Sequence, residues 1–120
     1  MDFIMDSDLI MDQFGHNKGG FPCIESTGNN LTSTSSTYIF NAHQFVNNNF
    51  YGGLFIKITD TPTAPETAVP IQFTTAGVAN STIPVLNAKG TALTTATFPG
   101  NGIYLAFYDR DTNNLQLLNV

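Results

Sequence analysis

Hydrophobic and polar positions alternate most cleanly near the end of the chain. From Ile103 to Tyr108 one side of an extended strand carries Ile103, Leu105 and Phe107, and the other carries Tyr104, Ala106 and Tyr108. A polar run from Asp109 to Asn114 follows, and Leu115 to Asn119 starts apolar again, so the pattern predicts a hairpin. If the column Ile103, Leu105, Phe107 faces the core, Tyr104 and Tyr108 point outward and need a cover, the alternative being that theirs is a second buried face of a sandwich. Further upstream, Phe50 to Thr59 reads as a strand with Leu54, Ile56 and Ile58 on one face and Phe55, Lys57 and Thr59 on the other. Gly52-Gly53 inside it suggests a bend. Residues 60–68, with Pro62 and Pro65, form a loop, because proline cannot donate to a central ladder. Val69 to Thr75 alternates again through Val69, Ile71 and Phe73. Ile83 to Leu86 is a short strand closed by the turn Asn87-Ala-Lys-Gly90, and Leu93 to Phe98 is another, ended by Pro99-Gly100-Asn101-Gly102. About six or seven short strands, spaced by roughly 8–12 residues and separated by turn signals, predict an all-β domain at residues 38–120. Its expected form is a small β-sandwich, jelly-roll-like, preceded by an N-terminal arm.

The first residues differ in texture. Met1 to Phe14 carries Asp2, Asp6, Asp8 and Asp12 among Phe3, Ile4, Met5, Leu9, Ile10, Met11 and Phe14. On a helix Phe3, Ile10 and Phe14 share a stripe with Ile4 and Met11 beside it. Such a piece is too short to be stable alone. It either lies on its own domain or docks on another subunit, and residues 1–25 are read as a docking arm with Phe3, Ile4, Leu9, Ile10, Met11 and Phe14 as partner-binding positions. Gly15 to Gly20 is a joint. Cys23, between Pro22 and Ile24, is expected to be a buried small hydrophobe. Residues 26–37, STGNNLTSTSST, are read as a polar linker, with a solvated edge strand as the alternative.

Composition narrows the function classes. The chain has 120 residues, 42% hydrophobic and only 11% charged, so its surface is wetted mainly by Thr, Asn, Ser and Gln. A net charge of -5, with Lys18, Lys57, Lys89 and Arg110 as the cations, cannot neutralise phosphates and argues against nucleic acid. No apolar run approaches a membrane span, and Asp2 stands where a signal peptide carries a base. A single cysteine excludes an intramolecular disulfide and fits assembly in a reducing cytoplasm.

Catalytic parts are scarce. His16 lies in the glycine-rich joint and His43 between Ala42 and Gln44, and neither has a motif partner. No nucleophile elbow, zinc-helix motif or phosphate-cradling loop occurs. Asp109-x-Asp111-x-Asn113 has the oxygen spacing of a calcium loop but has Asn114 where that loop needs glycine and Val120 where it needs a bidentate glutamate. No enzyme activity, cofactor or metal is therefore expected. Tyr38, Tyr51, Tyr104 and Tyr108 offer rigid amphipathic area and are candidate oligomer or surface contacts.

Three segments of the C-terminal third, Ile83-Pro-Val-Leu-Asn-Ala-Lys-Gly90, Gly102-Ile-Tyr-Leu-Ala-Phe-Tyr-Asp109 and Leu115-Gln-Leu-Leu118, resemble a pattern found in small β-structured virion proteins of tailed bacteriophages. These are tail fibres, head fibres and capsid decoration proteins. The resemblance spans about residues 83–118 and implies a structural role in a virion assembled in the bacterial host cytoplasm. It also implies a homo-oligomer, commonly a trimer, attached to the major capsid or another virion protein. No catalytic residue carries over. The alternative is a receptor- or carbohydrate-binding tail fibre module, in which the tyrosines and the loops 60–68 and 109–114 would meet a glycan.

Overall fold

A computed structural model describes residues 22–41, 52–109 and 111–120. All regular elements among them are strands: β1 (Cys23–Leu31), β2 (Ser36–Phe40), β3 (Gly52–Ile58), β4 (Ile71–Thr75), β5 (Ile83–Asn87), β6 (Gly102–Asp109) and β7 (Asn114–Leu117). The all-β class is as expected, but the architecture is a closed barrel rather than a two-layer sandwich. Its strands run β1-β2-β4-β5-β7-β6-β3 and return to β1.

Two strands make the closure by dividing their hydrogen bonds between neighbours. In β1, Cys23 to Glu25 pair in parallel with Phe55 to Lys57 of β3, while Ser26 to Leu31 pair antiparallel with β2. A bulge between Ser26 and Gly28 makes the turn from one partner to the other. In β5, Ile83 and Pro84 pair with β4, and Val85 to Asn87 pair with β7. Residues that would be the edges of two sheets are thus joined at both sides, which alternation along single strands does not reveal.

The tract 26–37, expected as a linker, is wall. Its polar residues build the turn: Thr32 Oγ1 accepts from the amides of Thr34 and Ser35 at 3.1 Å each, and Thr32 N donates to the Ser35 carbonyl at 2.8 Å. Ser26 and Ser36 are buried, Ser26 Oγ accepting from Thr59 N at 3.0 Å across the seam between β1 and β3. Leu93 to Phe98, expected as a strand, supplies only one isolated bridge, from Thr94 to Pro70. Leu93 N donates to the Val85 carbonyl and Thr95 N to the Val69 carbonyl, wedging this segment between β5 and the chain entering β4.

Inside, one column from each wall strand meets. Leu54, Ile56 and Ile58 of β3, Ile71 and Phe73 of β4, Val85 of β5, and Leu115 and Leu117 of β7 are buried, each contributing roughly 1.5–3 kcal/mol by leaving water. Aromatic rings run through the centre in edge contacts: Phe40 to Phe73 at 4.9 Å, Phe73 to Tyr38 at 6.0 Å and Tyr38 to Phe98 at 5.6 Å. Phe98 continues to Tyr104 at 5.2 Å.

The column of β6 that faces this core is Tyr104, Ala106 and Tyr108, the reverse of the expectation. Both columns are apolar, so period two fixes the alternation without fixing the side. Partners for the two phenols decide it. Tyr104 donates to the Gly100 carbonyl at 2.6 Å and Tyr108 to Asn113 Oδ1, so each ring is buried with its hydroxyl satisfied at the end of the strand. Between them Ala106 lies in register with Leu54 on one side and Leu117 on the other, where a small residue fits between two large ones.

Candidate functional site

Among the described residues two open depressions lie on the surface, about 500 Å³ at Lys57, Asn101 and Ile103 and about 410 Å³ at Cys23, Glu25 and Phe40, and a much smaller hollow is more enclosed. That hollow, about 30 Å³, lies under the β3–β4 loop among Tyr38, Thr61, Pro62, Pro65, Ile71 and Phe98. It is the size of a single water, far below the several hundred Å³ of a small-molecule site. The polar groups around it hold the loop. Tyr38 donates to Thr61 Oγ1 at 3.0 Å, and Thr61 N donates to Asn101 Oδ1 at 3.1 Å. Gly100 lies directly beneath: a Cβ there would come within 3.2 Å of the Thr61 methyl, on a backbone with φ of 99°.

Burial raises the Tyr38 phenol above its usual value; the Thr61 hydrogen bond pulls the other way and the nearby Asp60 charge adds to the rise. Burial likewise raises Tyr104, with a smaller contribution from Tyr38. Both therefore stay protonated donors near neutrality. Their chemistry is that of clamps at the ends of strands.

Other ionisable groups are dispersed. No group of three or more His, Cys, Asp or Glu side chains capable of holding a metal is found among the described residues. In the β6–β7 turn, Asp109 Oδ1 accepts from Asp111 N at 3.0 Å and Asn113 Oδ1 from Tyr108, so oxygens with calcium-like spacing serve the turn itself. Cys23, expected inside, is exposed, because alternation about buried Ile24 turns it outward.

The expected contact residues separate into two groups. Tyr38, Tyr104 and Tyr108 are 1%, 5% and 3% exposed, so as surface contacts of the single barrel they are corrected to core positions. Tyr51 and the arm positions Phe3, Ile4, Leu9, Ile10, Met11 and Phe14 lie outside the described residues.

What the barrel does present is an apolar outer wall over β1, β3, β6 and the residue after β7. Cys23 is in register with Phe55, Phe55 with Leu105, and Leu118 N donates to the Leu105 carbonyl at 2.7 Å. One row of four non-ionic side chains, Cys23, Phe55, Leu105 and Leu118, therefore crosses the wall. On one side of it lie Glu25, Lys57 and Ile103 in register, and on the other Gly53, Phe107 and Gln116. Ile103 is 62% exposed, Leu118 44% and Phe55 38%. Sequence reasoning named Ile103, Leu105 and Phe107 but placed them in the core. The usable signal was Ala106, a small residue between two tyrosines, which suits a crowded interior better than an open wall.

The opposite wall differs in kind. Outward positions of β2 and β4 are Thr37, Ile39, Gln72 and Thr74, and hydroxyls bond across it: Thr37 to Gln72 Oε1 at 3.2 Å and Thr82 to Thr74 Oγ1 at 3.0 Å. Against known proteins, no family model, curated protein or solved structure matches the chain.

Proposed function

We propose that this chain is a non-enzymatic assembly module, a structural component that works by holding to other protein surfaces. The observation that carries the reading is the outer wall of β1, β3 and β6, where Ile103, Leu105, Phe55 and Leu118 occupy outward positions beside a filled interior. Ile103 is 62% exposed in the row it shares with Glu25 and Lys57, beside Leu105, and exposed contiguous apolar surface is characteristic of interaction sites. The low charge of the chain favours close, uncharged contacts over ion steering.

The specific setting proposed is a tailed-phage virion, as a head fibre or capsid decoration protein. That part rests on the resemblance of residues 83–118, now placed on β5, β6 and β7. Of the segment read as an arm, residues 1–25, Cys23 to Glu25 belong to β1, so attachment to the capsid would fall to the residues that precede that strand.

Mass spectrometry of density-purified particles produced from the genome that encodes the chain tests the reading. The expected result is the chain present in fixed proportion to the major capsid protein. Particles carrying their other structural proteins and none of this chain would overturn it.

A further inference from the structure

We infer that residues 60–68, between β3 and β4, form a hinged strap that opens on its own while the barrel stays folded, uncovering an aromatic slot. The inference is independent of the assembly reading and rests on how this segment is held.

The two ends of the strap are pinned. Thr59 N donates to Ser26 Oγ at 3.0 Å and Thr59 Oγ1 to the Ser26 carbonyl at 3.3 Å, which fixes the exit from β3. At the far end Val69 N donates to Thr95 Oγ1 at 3.2 Å, and the Val69 carbonyl accepts from Thr95 N at 2.9 Å. Between these points the strap is tied at one residue. Tyr38 donates to Thr61 Oγ1 and Thr61 N donates to Asn101 Oδ1, and among the described residues no other member of 60–68 is hydrogen-bonded to the barrel.

Burial follows the same division. Within residues 60–68 only Pro62 and Pro65 are half-buried, and the rest are exposed. The two proline rings share the hollow with Tyr38, Ile71 and Phe98, which are 1%, 2% and 8% exposed. The ring of strands does not depend on the strap, since β3 is paired with β1 and β6, and β4 with β2 and β5. A segment with few buried side chains, exposed backbone and one latch belongs to the low-stability end of a structure, which opens without the rest.

The latch has a built seat. Gly100 lies beneath Thr61, where a Cβ would come within 3.2 Å of the threonine methyl, so the lack of a side chain lets the strap lie down. Opening breaks both hydrogen bonds together, because both end on Thr61. It lays bare the rings of Tyr38 and Phe98, which meet edge-on at 5.6 Å, together with Ser36. The hollow of about 30 Å³ is thus the closed state of a wider slot.

Thiol labelling of the full chain tests the inference, with a reagent slow enough for the rate to report the open population. Cys23 is exposed and is the single cysteine, so Cys23→Ser supplies a thiol-free background. In it, Ser36→Cys puts a thiol in the hollow at a position 1% exposed, and Val85→Cys puts one in the core at a position 0% exposed that does not line the hollow. The thiol at position 36 should react at least about tenfold faster than the one at 85, and with a much shallower dependence on urea. Asn101→Ala should raise the rate at 36 about fivefold, the effect of one hydrogen bond. Ile56→Val, which loosens the barrel core, should raise the rate at 85 several-fold and leave the rate at 36 unchanged. If Ser36→Cys does not fold by circular dichroism, cleavage after Glu66 by a glutamate-specific protease replaces it, with the same response expected to Asn101→Ala and to Ile56→Val. Equal rates and urea slopes at 36 and 85 overturn the inference, because the slot would then be reached only by unfolding. So does a rate at 36, or of cleavage after Glu66, that follows Ile56→Val or ignores Asn101→Ala.

Discussion

The two sides of β6 carry similar amounts of hydrophobic side chain and are put to opposite uses. Inward, Tyr104, Ala106 and Tyr108 close the barrel; outward, Ile103, Leu105 and Phe107 are left on the wall. A hydrophobicity scale ranks the outward column higher, yet the inward column wins because it fits. Its phenols find the Gly100 carbonyl and Asn113 Oδ1 at the two ends, and its alanine leaves space for Leu54 and Leu117. Shape and hydrogen-bond satisfaction outweigh transfer free energy when both columns are apolar.

The comparison can be broken most forcefully at the partner of Ala106. Leu54→Ala should destabilise the fold by about 2–5 kcal/mol in urea or thermal unfolding, as a core truncation beside a small residue that cannot fill the space. Ala106→Leu alone should cost about 1–3 kcal/mol by overpacking, and the pair Leu54→Ala with Ala106→Leu should recover part of both losses, because the positions are in register. Strict additivity would show that the two side chains do not share one volume.

Smaller effects sharpen the picture at the phenols. Tyr104→Phe should cost about 1–2 kcal/mol, leaving the Gly100 carbonyl without its 2.6 Å donor. The pH dependence has a defined sign. Burial raises the folded-state values of Tyr38 and Tyr104 above 10.0, so the unfolded chain releases those protons first. Their contribution is fully present below about pH 10 and is lost as pH rises through the folded values. Denaturant midpoints measured from pH 8 upward should be flat and then fall above about 10, and less steeply in Tyr104→Phe. A fall beginning well below that would point to another group.

The smallest expected change is on the outward side. Ile103→Thr should alter stability by less than about 0.5 kcal/mol, since a side chain 62% exposed has little burial to lose. A loss on the scale of Leu54→Ala would mean that the two columns had been exchanged.

Legibility in the sequence followed the contrast between columns. In β3, Leu54, Ile56 and Ile58 alternate with Phe55 and Lys57, and in β4, Ile71 and Phe73 flank Gln72; polar residues there name the outer side. The loop with Pro62 and Pro65 and the turn after Asn87, where Asn87 Oδ1 accepts from Lys89 N and Thr91 N at 2.9 Å, were readable from turn chemistry. β6 has no polar residue between Ile103 and Tyr108, so its orientation was not readable. β1 and β2 were obscured for the opposite reason, being dominated by serine, threonine and asparagine, whose hydroxyls and amides here stitch a wall instead of solvating a linker. Closure depends on the changes of partner within β1 and β5, a property of pairs far apart in the chain. The candidate wall was missed with β6, since an inverted column sends the outward residues to the core.

The place of β7 has a consequence for the order of folding. It lies between β5 and β6 and supplies the ladder that links them, so the ring has a gap until β7 has docked. A chain in which the other six strands have paired still exposes Val85 and Ala106 through that gap, and the last strand to be made is therefore the one that seals the wall.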